Sequence, residues 1–140
     1  MLPLFAPSAP TGLQAKLRDV ALFSTLSPRE LKVVSTLIHQ RSALAEEVIF
    51  DEGEEGQAIY IVLAGEIMIC HQGETASPIA TIRSGQIFGE LALIDGGPRS
   101  AQARAIKDSE LGVMFRGDFQ SLMESHASIA TKISFQLARH

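Results

Sequence analysis

Phe88-Gly89-Glu90-Leu91-Ala92-Leu93-Ile94-Asp95-Gly96-Gly97-Pro98-Arg99-Ser100-Ala101-Gln102-Ala103 sets an acid, a short apolar helix-capable run, a Gly-Gly-Pro turn and a single arginine between two β-like runs. A helix beginning at Glu90 would turn the free amides of Leu91 and Ala92 outward, where negative charge is favoured. Gly89 leaves room for close backbone approach. Arg99 offers a planar fork of donors that matches two oxygens of one phosphate, and Glu90, an acceptor when ionised, suits hydroxyls such as those of a ribose. The stretch therefore predicts a pocket for a small anion, and phosphate, ribose and an apolar wall for a base together describe a nucleotide. On spacing alone, an internal ion pair between Glu90 and Arg99 stands level with that reading.

On both sides of this stretch the chain alternates in short β-like runs. Arg41–Leu44, Val48–Phe50, Ala58–Ala64, Glu66–His71, Ile79–Ile82, Ile87–Phe88, Ser100–Ala105 and Glu110–Phe115 are the expected strands. Turn chemistry at Gly53, Gly56, Gly65, Gly73 and Gly85 separates them, which predicts a compact sandwich or barrel. Further upstream, Leu13, Leu17, Val20 and Ala21 recur at helical spacing. Ser27-Pro28-Arg29-Glu30 has the form of a capping box, opening a helix expected to run to about His39, whose ring would meet the free carbonyls of the helix end. Downstream, Phe119, Leu122 and Met123, and then Ile129, Ile133 and Leu137, predict two helices broken near His126. The last ends in a helical pattern without a Gly or Pro stop, as expected of a fragment of a longer chain.

Composition narrows the function classes. The chain has 140 residues, an apolar fraction of 46% and seven Phe, enough for one domain with a real core. Its net charge of −4 and lack of a Lys/Arg-rich block argue against direct nucleic-acid binding. Residues 1–12 read as a flexible lead-in and make a poor signal peptide. No apolar run reaches the roughly 18 residues of a membrane span. The lone Cys70, expected as a small buried hydrophobe, suits a reducing compartment, and with no targeting signal the expected location is cytoplasmic.

Catalysis finds little support. His39, His71, His126 and His140 are scattered, so no metal site is expected. Cys70 has only His71 beside it, and adjacent strand residues point to opposite faces. The acidic run Asp51, Glu52, Glu54, Glu55 lacks the alternating ligand spacing of a calcium loop and reads as a solvated turn. No catalytic residue is assigned, and the chain is not expected to be an enzyme.

Phe88-Gly89-Glu90-Leu91-Ala92-Leu93-Ile94 followed by Gly97-Pro98-Arg99-Ser100-Ala101 resembles the phosphate-binding cassette of the cyclic nucleotide-binding domain family. Val48–Glu54 and Ala58–Glu66 are similar to the family's early barrel strands, so the resemblance covers about Leu22 to the C-terminus. It implies a mainly β fold with α: an eight-stranded β-roll or jelly-roll barrel over about residues 40–115, within a domain of residues 13–140, flanked by N-terminal helices and by C-terminal helices over about 117–140. It implies a site of Gly89, Glu90, Leu91, Ala92, Arg99, Ser100 and Ala101. Glu90 would bind the ribose 2′-hydroxyl, Arg99 the exocyclic phosphate oxygens, and backbone amides around Leu91, Ala92 and Ala101 would complete the cradle. Gln102 and Ala103 depart from the Thr and Val usual in the family.

The implied ligand is cAMP, with cGMP the other choice that Ser100 leaves open, and no cofactor is implied. The implied role is a sensor whose C-terminal helix moves over the base, with Lys132 and Phe135 as candidate caps, to control a fused effector domain or partner protein. A transcription factor would need a helix-turn-helix after the last helix, for which the chain has no room. The other reading is a degenerate barrel that serves protein interaction or assembly without ligand.

Overall fold

The computed structural model describes residues 12–91 and 96–139. Leu17 and Val20 bury completely and draw the first segment onto the core as α1 (Gly12–Arg18), followed by a single 3-10 turn at Ala21–Phe23. The helical spacing of Leu13 to Leu22 predicts one short amphipathic helix; it breaks because Val20 is extended and Ala21 N–H donates to Gly85 O across the fold. The capping box forms as expected at the start of α2 (Pro28–Ser35): Ser27 Oγ accepts from Glu30 N–H at 3.2 Å, and Glu30 Oε1 accepts from Ser27 N–H at 2.8 Å.

Helix α2 stops four residues before His39. The hydroxyls of Ser35 and Thr36 each donate back to the carbonyl three residues earlier, at 2.7 Å, and the amides of Thr36, Leu37 and Ile38 likewise donate three residues back, at 3.2, 2.9 and 3.3 Å, which ends the helix in a 3-10 turn. His39 is thus the first residue of a strand, paired with Val113 and set edge-on to the Phe115 ring at 5.3 Å. The expected contact between His39 and helix-end carbonyls is replaced by this ring contact. Ile38 still reaches the core, where Gly112 makes space: a Cβ there would lie 2.9 Å from the Ile38 methyl.

Among the described residues, eight strands follow: β1 (His39–Ala43), β2 (Val48–Phe50), β3 (Ala58–Ala64), β4 (Glu66–Cys70), β5 (Ala80–Arg83), β6 (Ile87–Phe88), β7 (Gln102–Ala105) and β8 (Ser109–Phe115). They form two antiparallel four-stranded sheets, ordered β1-β8-β3-β6 and β2-β7-β4-β5. The fold is a β-roll of two facing sheets, and the expected barrel does not close into a cylinder.

Two apolar clusters hold it. Val62, Phe88 and Leu111 of the first sheet meet Ile49, Ile67 and Ala103 of the second. On the other side of the first sheet, Ile59, Ile61, Ile87 and Met114 pack under the helices. The first sheet is therefore covered on both faces, which is why β3 reads Ala-Ile-Tyr-Ile-Val-Leu-Ala without a polar position. Complete burial of Ile59 or Ile61 contributes about 1.5–3 kcal/mol each.

Helices α3 (Arg116–Ser125) and α4 (Ala127–Ala138) close the chain, with the break at His126 as expected; Phe119, Leu122, Ile129 and Ile133 are buried. Glu30 holds α4 in place by accepting from Ser128 Oγ and Lys132 Nζ, both at 2.6 Å. Cys70 is fully buried, its thiol 3.7 Å from Gln102 Oε1. No described helix is long and apolar enough to cross a membrane.

Candidate functional site

Arg99 is 9% exposed, and a cavity of about 380 Å³ opens against it. The residues just before β7 reach the cavity because they pair with the turn after β2 before the regular strand begins. Arg99 N–H donates to Glu54 O at 2.7 Å, Gly53 N–H to Arg99 O at 2.8 Å, and Gly56 N–H to Gly97 O at 3.1 Å. This backbone brace delays β7 to Gln102, two residues later than the expected Ser100. The acidic run thus supports the arginine loop with its main chain. Its side chains are engaged locally: Asp51 Oδ1 accepts from Gln102 Nε2 at 3.1 Å, and Glu52 Oε1 accepts from Gln72 N–H and lies 3.2 Å from His71 Nδ1.

Six of the expected site residues, Gly89, Glu90, Leu91, Arg99, Ser100 and Ala101, line this one cavity. Ala92 lies outside the described residues, as does most of the helix expected from Glu90. The rest of the wall is apolar, with Ile69, Ala80 and Ile82 from the second sheet and Ile87 from the first.

The guanidinium is held from several directions. Nη1 donates to Gly89 O at 3.0 Å and Nη2 to Ala58 O at 2.7 Å. The close approach that Gly89 permits is this one: its φ is +75°, and a Cβ would lie 2.7 Å from Arg99 Nη1. Nε is buried without a hydrogen-bond partner. Burial draws the Arg99 pKa downward, while Tyr60, Glu54 and Glu90 pull it back, so Glu90 acts on the arginine through its charge. An arginine in this setting stays charged.

Sequence reasoning missed an aromatic group beneath the guanidinium. Arg99 Cζ sits 4.1 Å from the centre of the Phe50 ring, and Phe50, Tyr60 and Phe88 are in mutual contact. Parity was the available signal for Tyr60 and Phe88, whose strand neighbours Ile59, Ile61 and Ile87 face the helices; it gave none for Phe50, because Ile49 and Phe50 both enter the inter-sheet cluster across an irregular register. The candidate caps on α4 take no part here. Lys132 is bound to Glu30, Phe135 is 67% exposed, and neither lines the cavity. Among the described residues, no group of His, Cys, Asp and Glu is arranged to hold a metal ion.

The model of the family described as "Cyclic nucleotide-binding domain" matches residues 40–126. The "Cyclic AMP receptor protein" of Thermus thermophilus is 34% identical over 120 residues, covering 84% of this chain and 56% of that protein. A "cAMP-dependent protein kinase regulatory subunit" of Emericella nidulans is 33% identical over 110 residues, covering 79% of this chain and 26% of that protein. The chain thus spans about half or less of these relatives. Among solved structures, the N-terminal domain of a transcriptional regulator from Streptomyces coelicolor superposes with a TM-score of 0.77 at 25% identity, covering 89% of this chain and 90% of that one.

Proposed function

The chain belongs to the cyclic nucleotide-binding domain family, and from that premise we propose that it is a regulatory sensor for a cyclic nucleotide, cAMP in the first place. The observation that carries the reading is Arg99: a charged fork taken out of water at the wall of a nucleotide-sized cavity, with Nε buried and unpartnered. Arg99 takes the exocyclic phosphate oxygens, and backbone amides around Leu91, Ala92 and Ala101 complete the cradle. Glu90 accepts from the ribose 2′-hydroxyl. The base lies against Ile69, Ala80 and Ile82, near Ser100.

Output follows from the last helix. Glu30 holds α4 against α2, and no α4 residue lines the cavity. Ligand that binds better when α4 lies over the base shifts it there, by no more than that difference in affinity. The effector is a fused domain or a partner protein.

One observation favours the competing reading, a degenerate roll used for protein interaction or assembly. Each Nη atom of Arg99 already donates one of its two N–H bonds to a backbone carbonyl. Calorimetric titration with cAMP and with cGMP separates the two. Saturable heat accompanied by a thermal shift is expected; neither signal at millimolar ligand overturns the sensor.

A further inference from the structure

The aromatic group, of which Phe50 and Phe88 line the cavity, has no role in the contacts proposed for the ligand. Tyr60 and Phe88 stack at 5.1 Å with their planes 15° apart, and Phe50 lies 5.7 Å from one and 6.0 Å from the other. Phe50 comes from the second sheet and the other two from the first, so the group spans the roll. The Arg99 guanidinium rests on this assembly, 4.1 Å from the Phe50 centre and 5.9 Å from that of Tyr60.

A guanidinium can tilt and rotate about its side-chain bonds. Here the carbonyls of Gly89 and Ala58 hold the two Nη atoms. Carbonyls constrain donor direction within the plane, whereas a ring beneath one face resists tilting out of it. The negative face of the ring attracts the cation, more strongly where water is excluded, and Phe50 and Arg99 are 8% and 9% exposed. What remains are Nε–H, which has no partner, and the second N–H of each Nη.

We infer that Phe50 is a positioning residue for anion capture: its ring fixes the plane of the Arg99 guanidinium at the cavity wall, and with it the direction of the N–H bonds that the two carbonyls leave free for the ligand phosphate. The inference rests on the phosphate role proposed for Arg99. Phe50 needs no contact with the phosphate, and its effect runs through the arginine. A merely apolar wall residue would act on the base independently of Arg99.

A double-mutant cycle distinguishes these roles. cAMP is titrated into the parent chain, Phe50→Leu, Arg99→Ala and the double variant, with each fold checked by circular dichroism. Phe50→Leu is expected to weaken binding about 2- to 30-fold when Arg99 is present, and by less than about twofold when it is absent. An equal loss in both backgrounds overturns the positioning role and leaves the Arg99 assignment standing. A parent that does not bind, or an Arg99→Ala variant that binds like the parent, overturns the phosphate reading and this inference with it. Should Phe50→Leu fail to fold, nuclear magnetic resonance on the unsubstituted chain decides. Guanidinium protons of Arg99 shifted upfield by the ring are expected, and resonances at free-arginine positions overturn the inference.

Discussion

Arg99 carries five N–H donors and almost no exposed surface, so its neighbours must compensate for lost hydration. Two carbonyls and a ring do part of this, leaving Nε–H and one N–H on each Nη for an anion to satisfy. Arg99→Ala should lose a charge-assisted contact of roughly 1.5–3 kcal/mol, read in calorimetry as an affinity for cAMP about 10- to 150-fold lower. Glu90→Ala should bind cAMP and its 2′-deoxy analogue alike, whereas the parent prefers cAMP; competition between the two checks it. Gly89→Ala combines a positive φ with a Cβ 2.7 Å from Nη1. It should cost about 1–3 kcal/mol of stability in urea unfolding and displace the arginine, so affinity falls with it.

At the scale of elements, the informative contact joins α2 to α4. Glu30 caps its own helix and also receives Ser128 and Lys132, about a hundred residues further along the chain. Lys132, then Ser128, then the Ser27 amide lower its carboxyl pKa from the ordinary 4.5 to about 2. A depressed carboxyl pKa gives stability that is present above the unfolded value and lost as pH falls through the folded one. The stability difference between the parent and Glu30→Gln should therefore be full at pH 6 and shrink between pH 4.5 and 2. Urea midpoints of both proteins across that range check it; a difference independent of pH would detach the effect from the carboxylate. In the sensor reading, the same substitution also frees α4.

At the scale of the molecule, a saturating ligand stabilises the folded state by mass action. At a hundredfold excess over Kd this amounts to about 2.7 kcal/mol, or a rise in Tm of about 10 °C for a domain this size; scanning calorimetry at stepped cAMP concentrations checks it. Much of this architecture was legible in the chain, for physical reasons that differ by element. Ala58–Ala64 and Ile87–Phe88 match the expected bounds because a doubly covered sheet leaves an unbroken apolar run between turn residues, and Val48–Phe50 of the other sheet matches because its apolar run is bounded by the charged turns on either side. The cassette residues converge on one cavity because they are neighbours in sequence. His39 was misplaced because Leu37 and Ile38 keep helical spacing, and still pack on the core, after the backbone has left the helix. Contacts across the fold had no local signature: the partner of Lys132 is 102 residues away, the acidic turn braces Arg99 through its main chain, and Phe50 meets the arginine only when two sheets face each other.

The stacked Tyr60 has a spectroscopic consequence. The chain contains a single tyrosine and no tryptophan, so its near-ultraviolet emission comes from one ring, in contact with Phe50 and Phe88 and 5.9 Å from the Arg99 guanidinium carbon. Any rearrangement of the arginine on its platform alters the surroundings of that one fluorophore. The unlabelled protein thereby carries its own optical reporter beside the cavity, suited to stopped-flow measurement of how fast the site responds.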